Sequence, residues 1–273
     1  QFTRMKKVIF ISVQLLILSC LCACDLFDYH PYDVKITGDR DVNRNNCNLI
    51  ESARQEKDTL RFAVMGDTQR WYDETQDFVN VINKRSDIDF VIHGGDISDF
   101  GVTDEMLLQR DIMNGLNVPY VVLIGNHDCL GTGLEAYKKI FGPLNFSFIA
   151  GRIKFVCLNT NAMEYDYSEP VPNLTFIEDE SKADSTKFDK TVVCMHSRPY
   201  CEQFNNNVAK AFEYYIRMLP GLQFCTVAHD HRLSVEQYFN DGIVYYGSDR
   251  ISNRDYLLFT ITPNGYSYEV VYF

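Results

Sequence analysis

The sequence predicts an α/β fold, and three observations carry that prediction. From Leu60 onward, short apolar runs alternate with helix-length amphipathic segments, the spacing of βαβ units. Polar clusters recur directly after those apolar runs, at the strand ends where open α/β sheets assemble their sites. A chain of 273 residues with 46% hydrophobic content can bury a full core, so one large domain behind a short leader is expected.

The leader comes first. Gln1 to Arg4 precede Met5, which reads as the true start, and Lys6 and Lys7 form a basic n-region. The apolar run from Val8 to Leu18, broken only by Ser12 and Gln14, is too short for an anchor helix and fits a signal-peptide h-region. Leu21-Cys22-Ala23-Cys24 resembles a bacterial lipoprotein box, with Cys24 as the lipid-bearing first residue of the mature chain. Cys20 is a second candidate, and an ordinary cleaved signal without lipid is the alternative. Several acyl chains on one Cys anchor a protein stably, at ~0.8 kcal/mol per buried methylene. The expectation is an exported protein, lipid-anchored in the bacterial cell envelope, with residues 1–23 as signal peptide.

Residues 24–58 read as a lipid-anchored tether, because they carry many charges and Asn, including the run Asp39 to Asn46, and little apolar periodicity. Ile36 and Ile50 are the apolar side chains there that would pack on the domain. Residues 59–273 form the predicted domain. Its strands are read at Leu60 to Met65, Phe90 to His93, Tyr120 to Ile124, Phe146 to Ala150 and Ile153 to Leu158. The intervening helices contain Phe78 to Ile82, Thr103 to Met113 and Leu134 to Phe141. A polar, acidic segment then runs to Lys190 without an assignable pattern. Thr191 to Met195 and Gln223 to Val227 read as strands around a helix from Val208 to Leu219. Strands at Ser234 to Phe239, Ile243 to Tyr246, Tyr256 to Ile261 and Tyr266 to Tyr272 follow. Turn signals such as Asn240-Asp241-Gly242 and Pro263-Asn264-Gly265 predict an antiparallel C-terminal part.

Charge and cysteine content narrow the partners. Removing residues 1–23 deletes the bases Arg4, Lys6 and Lys7 and no acid, which takes the formal net charge from −11 to −14. Sequence-independent affinity for nucleic acid comes from Lys and Arg displacing counterions, so this balance argues against nucleic acid and for small substrates. Cys47, Cys129, Cys157, Cys194, Cys201 and Cys225 follow the leader without a CxxC pair, which argues against a thiolate zinc site. Disulfide pairing and oligomeric state are not legible.

Five polar clusters close the predicted strands: Gly66-Asp67-Thr68-Gln69, Gly94-Gly95-Asp96, Gly125-Asn126-His127-Asp128, His196-Ser197-Arg198 and Ala228-His229-Asp230-His231. The first three lie about one βαβ unit apart, so parallel neighbours would bring them to one sheet edge. Asp, Asn, Gln and His offer oxygen and imidazole donors, a set that suits Mn, Fe or Zn pairs better than a structural zinc.

These blocks, in this order over about residues 60 to 235, resemble the calcineurin-like metallophosphoesterases. The resemblance implies a four-layer α/β/β/α sandwich of two mixed sheets flanked by helices. It implies two divalent cations, one held by Asp67, Gln69, Asp96 and His231 and the other by Asp96, Asn126, His196 and His229, with Asp96 bridging. It further implies His127 as the general acid or charge stabiliser at the leaving-group oxygen. In such a site a hydroxide shared by cations roughly 3.5 to 4 Å apart attacks the phosphorus of a small phosphomonoester or phosphodiester in line.

Two departures matter. Gln69 stands where the family pattern has His, so an amide oxygen replaces an imidazole; weaker binding there and a preference for Mn²⁺ are expected. Ala228 stands where the pattern has Gly, which an ordinary backbone conformation tolerates. Asp99 and Asp128 read as carboxylates that orient their neighbours. Arg198 is either a salt-bridge partner or a phosphate contact, and Trp71 and Tyr72 either pack or floor a pocket. Asn145-Phe146-Ser147 and Asn173-Leu174-Thr175 match glycosylation acceptors by coincidence. Two functions therefore compete: an envelope-anchored phosphoesterase, and a binding or scaffold protein that keeps the fold with weak or no turnover, as Gln69 suggests.

Overall fold

The computed structural model describes residues 32–54, 59–164, 170–183 and 186–273, with positions 5–6, 10–14 and 30. Cys20, Cys22 and Cys24, on which the lipidation reading rests, lie outside the described residues. Among the described residues no helix is long and apolar enough to cross a membrane.

Strands β1 (Leu60–Met65), β2 (Phe90–His93) and β3 (Tyr120–Val122) run parallel, and β10 (Asp255–Thr262) and β11 (Gly265–Tyr272) extend that sheet antiparallel in the order β11-β10-β1-β2-β3. A second sheet is built from β4 (Phe146–Ala150), β5 (Ile153–Leu158), β6 (Lys190–Met195), β7 (Leu222–Val227), β8 (Ser234–Glu236) and β9 (Tyr245–Gly247) in the order β4-β5-β6-β7-β9-β8. Both sheets are mixed. The antiparallel reading of the C-terminal part holds for β8 with β9 and β10 with β11, but β9 runs parallel to β7. There β8 takes the outer edge, and the chain returns between it and β7.

The period-two alternation of each strand builds the layers. Phe62, Val64, Phe90 and Ile92 point inward to meet Phe148, Phe155, Phe224 and Phe259, forming an aromatic core between the sheets. Ala63, Met65 and Val91 point outward to α2 (Tyr72–Ile82), α3 (Thr103–Met113) and α4 (Gly133–Ile140). On the far side Val156, Val193 and Cys225 pack beneath α5 (Leu174–Ser181) and α6 (Ala209–Arg217). The molecule is therefore the predicted four-layer α/β/β/α sandwich.

One sequence reading needs correction. Within the segment read as a tether, Val42–Arg54 is a helix, α1, that closes one edge of the sandwich. Val42 and Ile50 are buried in the core on either side of the first sheet, and Ile36 is buried with Val42. Asn43 Nδ2 donates to Val122 O at 2.9 Å, Val122 N donates to Asn43 Oδ1 at 2.8 Å, and Asn46 Nδ2 donates to Tyr120 O at 2.7 Å. Ile149 N on β4 donates to Glu51 Oε1 at 3.0 Å. The Asn-rich run thus supplies the groups that a neighbouring strand would have supplied to the free edges of β3 and β4. Polar side chains that serve a sheet edge look like loop composition, which is why the sequence concealed them. The unassigned acidic segment contains α5, capped by Asn173, whose side-chain oxygen accepts from Phe176 N at 3.0 Å. Only Ile177 of that helix is buried, so it shows no apolar stripe.

Candidate metal centre

Each polar cluster follows the carboxyl end of a strand: β1, β2, β3, β6 and β7. Backbone bonds lace these ends together. Gly94 N donates to Met65 O at 2.6 Å, Asp67 N to Gly95 O at 3.0 Å, Gln69 N to Asp96 O at 2.9 Å and Ala228 N to His196 O at 3.0 Å. Close approach demands glycine at two points. A Cβ on Gly125 would stand 2.1 Å from Asp96 Oδ1, and one on Gly95, whose φ is +104°, would stand 2.7 Å from His196 Nδ1. Ala228 lies outside the positive-φ residues, and its methyl faces Gly66 and Gly94, so the alanine is accommodated by glycines opposite.

The backbone is strained where the clusters converge. Asp67, Gln69, Asp96, His229 and His231 all have positive φ, between 39° and 68°. Left-handed backbone at non-glycine residues costs roughly 1 kcal/mol or more each and persists where surrounding structure enforces it, commonly at functional sites.

The side chains meet in two groups that share one carboxylate. One ligating atom each from Asp96, His196 and His229 lie within 4.8 Å of one another, and so do those from Asp67, Asp96 and His231. Asn126 joins the first group, its Oδ1 3.1 Å from His196 Nε2. The Gln69 carboxamide makes no hydrogen bond to any of these residues among those described; the residue is tied in through its backbone, with Gln109 Nε2 donating to its carbonyl at 3.0 Å.

Electrostatics tests whether cations fit. His196 Nδ1–H donates to Gly94 O at 2.8 Å, which fixes the ring and turns Nε2 toward Asp96 Oδ1 at 3.4 Å. Burial lowers the basicity of His196, but Asp96 and Asp67 outweigh it and raise its pKa to about 9. Burial likewise opposes ionisation of Asp96, yet His196 and His127 hold its carboxyl below the usual range. Asp67 Oδ1 is buried and accepts no hydrogen bond, with His231 Nε2 3.2 Å away. Two buried carboxylates within reach of three imidazoles, one carboxylate oxygen unsatisfied, call for positive charge at the centre of the cluster. The donor set fits divalent cations that accept oxygen and imidazole together.

The surrounding residues orient this core. His127 Nδ1–H donates to Asp99 O at 2.7 Å with Asp99 Oδ1 at 3.6 Å, which leaves Nε2 free. Asp128 accepts from Ile97 N, Ser98 N, Ser98 Oγ and Gly125 N, binding the second and third loops together. Asp128 therefore acts as the sequence suggested, whereas Asp99 orients His127 through its backbone carbonyl and gives its carboxylate to Arg70 at 2.8 Å. Arg198 is ion-paired to Asp230, which settles the choice posed for it in favour of the salt bridge. Two residues were missed. His93 accepts from Gly95 N at Nδ1 and bonds Thr68 Oγ1 through Nε2, while burial pushes its pKa down to about 3. It is a neutral buttress, legible only as part of the His93-Gly94-Gly95-Asp96 block. Glu202 accepts from His229 Nε2 at 2.8 Å and lies in a stretch with no translatable motif.

A family profile described as Calcineurin-like phosphoesterase matches residues 60–233. No curated protein sequence matches the chain. Among solved structures, it is similar to a dimetal phosphatase from Danio rerio at 11% identity and a TM-score of 0.60, over 78% of this chain and 98% of that one. It is similar to GAP50, the anchor in the inner membrane complex of Plasmodium, at 14% identity and 0.60, over 79% and 85%. It is also similar to the purple acid phosphatase PPD1 from yellow lupin (Lupinus luteus) seeds, at 13% identity and 0.54, over 80% and 55%. At such identities these likenesses speak to the fold alone. The profile covers most of the chain and all five strand-end clusters up to His231, and on that ground the chain belongs to the calcineurin-like phosphoesterase family.

Proposed function

We propose that the chain hydrolyses esters of small phosphorylated molecules at two divalent cations, Mn²⁺ favoured, held by Asp67, Gln69, Asp96 and His231 and by Asp96, Asn126, His196 and His229. The observation that carries this reading is the pair of three-residue groups with Asp96 common to both. A bound cation pair would activate water near neutral pH and neutralise charge on the phosphoryl oxygens.

The chain's own groups do the rest. His127 N donates to Asp96 Oδ1 at 3.0 Å, a bond that would help orient this carboxylate toward bound cations. His127, anchored at Nδ1 by Asp99, presents Nε2 to deliver a proton to the leaving-group oxygen. His196 and His229 are fixed through their second nitrogens by Gly94 O and Glu202, so neither ring needs to reorganise during turnover. Hydrolysis of an aryl phosphate and an aryl phosphodiester with added Mn²⁺ tests the proposal. Wild type should turn over at least one, and His127→Ala should lower kcat by about 10²-fold with metal content unchanged. A protein that binds metal but turns over no ester would favour the scaffold reading, which the uncommitted Gln69 carboxamide supports.

We also propose that the protein is anchored in the cell envelope through a lipid on Cys24. Metabolic labelling with a radioactive fatty acid should mark the wild type and fail on Cys24→Ala; label retained by that variant would refute the assignment.

A further inference from the structure

Arginine pairing singles out one residue. Arg70 bonds Asp99 at 2.8 Å, Arg232 bonds Glu236 at 2.7 Å, Arg254 bonds Asp77 at 2.7 Å and Arg198 is committed to Asp230. Arg40 donates to a backbone carbonyl, and Arg44, Arg61, Arg85, Arg110, Arg152 and Arg217 each hold an acid. Among arginines with described side chains, Arg250 alone makes no hydrogen bond or ion pair through its guanidinium. It is exposed on a chain whose net charge is −11, where a free cation has many acids to choose from.

The fold places the backbone of this residue beside the candidate metal centre. Arg250 bridges Gly66, the residue before Asp67, in an isolated parallel pair. The backbone is fixed: Arg250 N donates to Asp249 Oδ1 at 2.7 Å, Asn253 N donates to Arg250 O at 3.0 Å, and Ile251 is wholly buried. Asp249, the adjacent acid, is already used, since its Oδ2 accepts from Asn253 Nδ2 at 2.8 Å. The main chain is locked while the guanidinium is left available.

Building on the phosphoesterase reading, we propose that Arg250, set beside the Gly66-Asp67 turn, binds the substrate's phosphate and biases the site toward phosphomonoesters. A guanidinium is always charged, and its planar fork matches two phosphate oxygens. A monoester dianion offers three terminal oxygens and a diester monoanion two. A fork occupying an oxygen beyond those turned to the cations therefore rewards the monoester.

The test uses the full chain, as wild type, Arg250→Ala and Arg250→Lys, with the distant surface variant Arg217→Ala as control. Two readouts are needed: kcat/KM for p-nitrophenyl phosphate and bis(p-nitrophenyl) phosphate with Mn²⁺, and calorimetric Kd for inorganic phosphate with and without Mn²⁺. Arg250→Ala should lower monoester kcat/KM by roughly 10- to 100-fold, weaken phosphate binding about tenfold and cost the diester less than about threefold. Arg250→Lys should recover part of each loss, because it restores charge without the fork. An unchanged monoester-to-diester ratio together with unchanged phosphate Kd in Arg250→Ala overturns the proposal. If wild type turns over neither ester, the phosphoesterase reading falls, and phosphate affinity alone decides for Arg250: weakened in Arg250→Ala supports it, unchanged or undetectable in wild type overturns it.

Discussion

The two halves of the candidate metal centre share Asp96 but differ in how firmly the fold holds them. In the half built from Asp96, Asn126, His196 and His229, the His196 side chain is 0% exposed and Asp96 1%, and both imidazoles are anchored through their second nitrogens. In the other half the His231 side chain is 35% exposed and Gln69 offers only an uncommitted amide. Left-handed backbone runs through both halves, but the first buries its imidazole His196 completely, whereas His231 and Gln69 of the second are partly exposed. The lesson is that one carboxylate can belong to a rigid site and a loose one at once, and the two should differ in metal affinity.

The harshest way to break this comparison is Asp96→Ala. Removing the shared ligand should empty both halves and cut turnover by about 10³-fold or more, which metal analysis and kinetics would show together. If one cation stayed at full occupancy, Asp96 would not be shared. A finer cut is His196→Ala against His231→Ala in chelator-treated protein. The first leaves a fully buried carboxylate without its cationic partner and should cost about 3 to 5 kcal/mol in denaturant unfolding. The second also takes an imidazole from a buried carboxylate, Asp67, but from a position 35% exposed where water can replace it, and should cost less, about 1 to 2 kcal/mol. Equal losses would show that the halves are equally built.

The sequence disclosed these halves unequally, and for a physical reason. Asp67, Asp96, Asn126, His196, His229 and His231 were legible because each follows an apolar strand, and parallel strands of similar length must end together. The layers were legible through the same period-two alternation. Glu202 was not, since its tie to His229 depends on how an irregular stretch folds back. Arg250 was not, because freedom from partners is a property of three-dimensional surroundings. Helix α1 was misread because Asn43, Asn46 and Glu51 spend their polarity on strand edges, where composition alone reads as loop.

Metal titration sharpens the comparison from both sides. Glu202→Ala frees His229 Nε2 and should weaken the firmer half by roughly 10-fold, the usual cost of losing such a support. Gln69→His adds an imidazole to the looser half and should tighten it by about as much, shifting selectivity toward Zn²⁺. If Gln69→His left both affinity and selectivity unchanged, position 69 would lie outside the coordination shell.

The smallest effect concerns the turn that borders the looser half. Asp255 opens β10 and is 3% exposed, with Oδ1 accepting no hydrogen bond. Burial, and then the nearby charge of Asp249, raises its pKa to about 6. The folded value lies above the unfolded one, near 3.9, so the ionised form weakens the fold: the penalty is full above about pH 6, shrinks as pH falls through 6 and vanishes below the unfolded value. Asp255→Asn should therefore stabilise the protein at pH 7.5 by on the order of 1 kcal/mol and do little at pH 4. Chemical denaturation at the two pH values reads this directly. An equal gain at both would mean that packing of the amide, rather than removal of a buried charge, sets the stability of this turn.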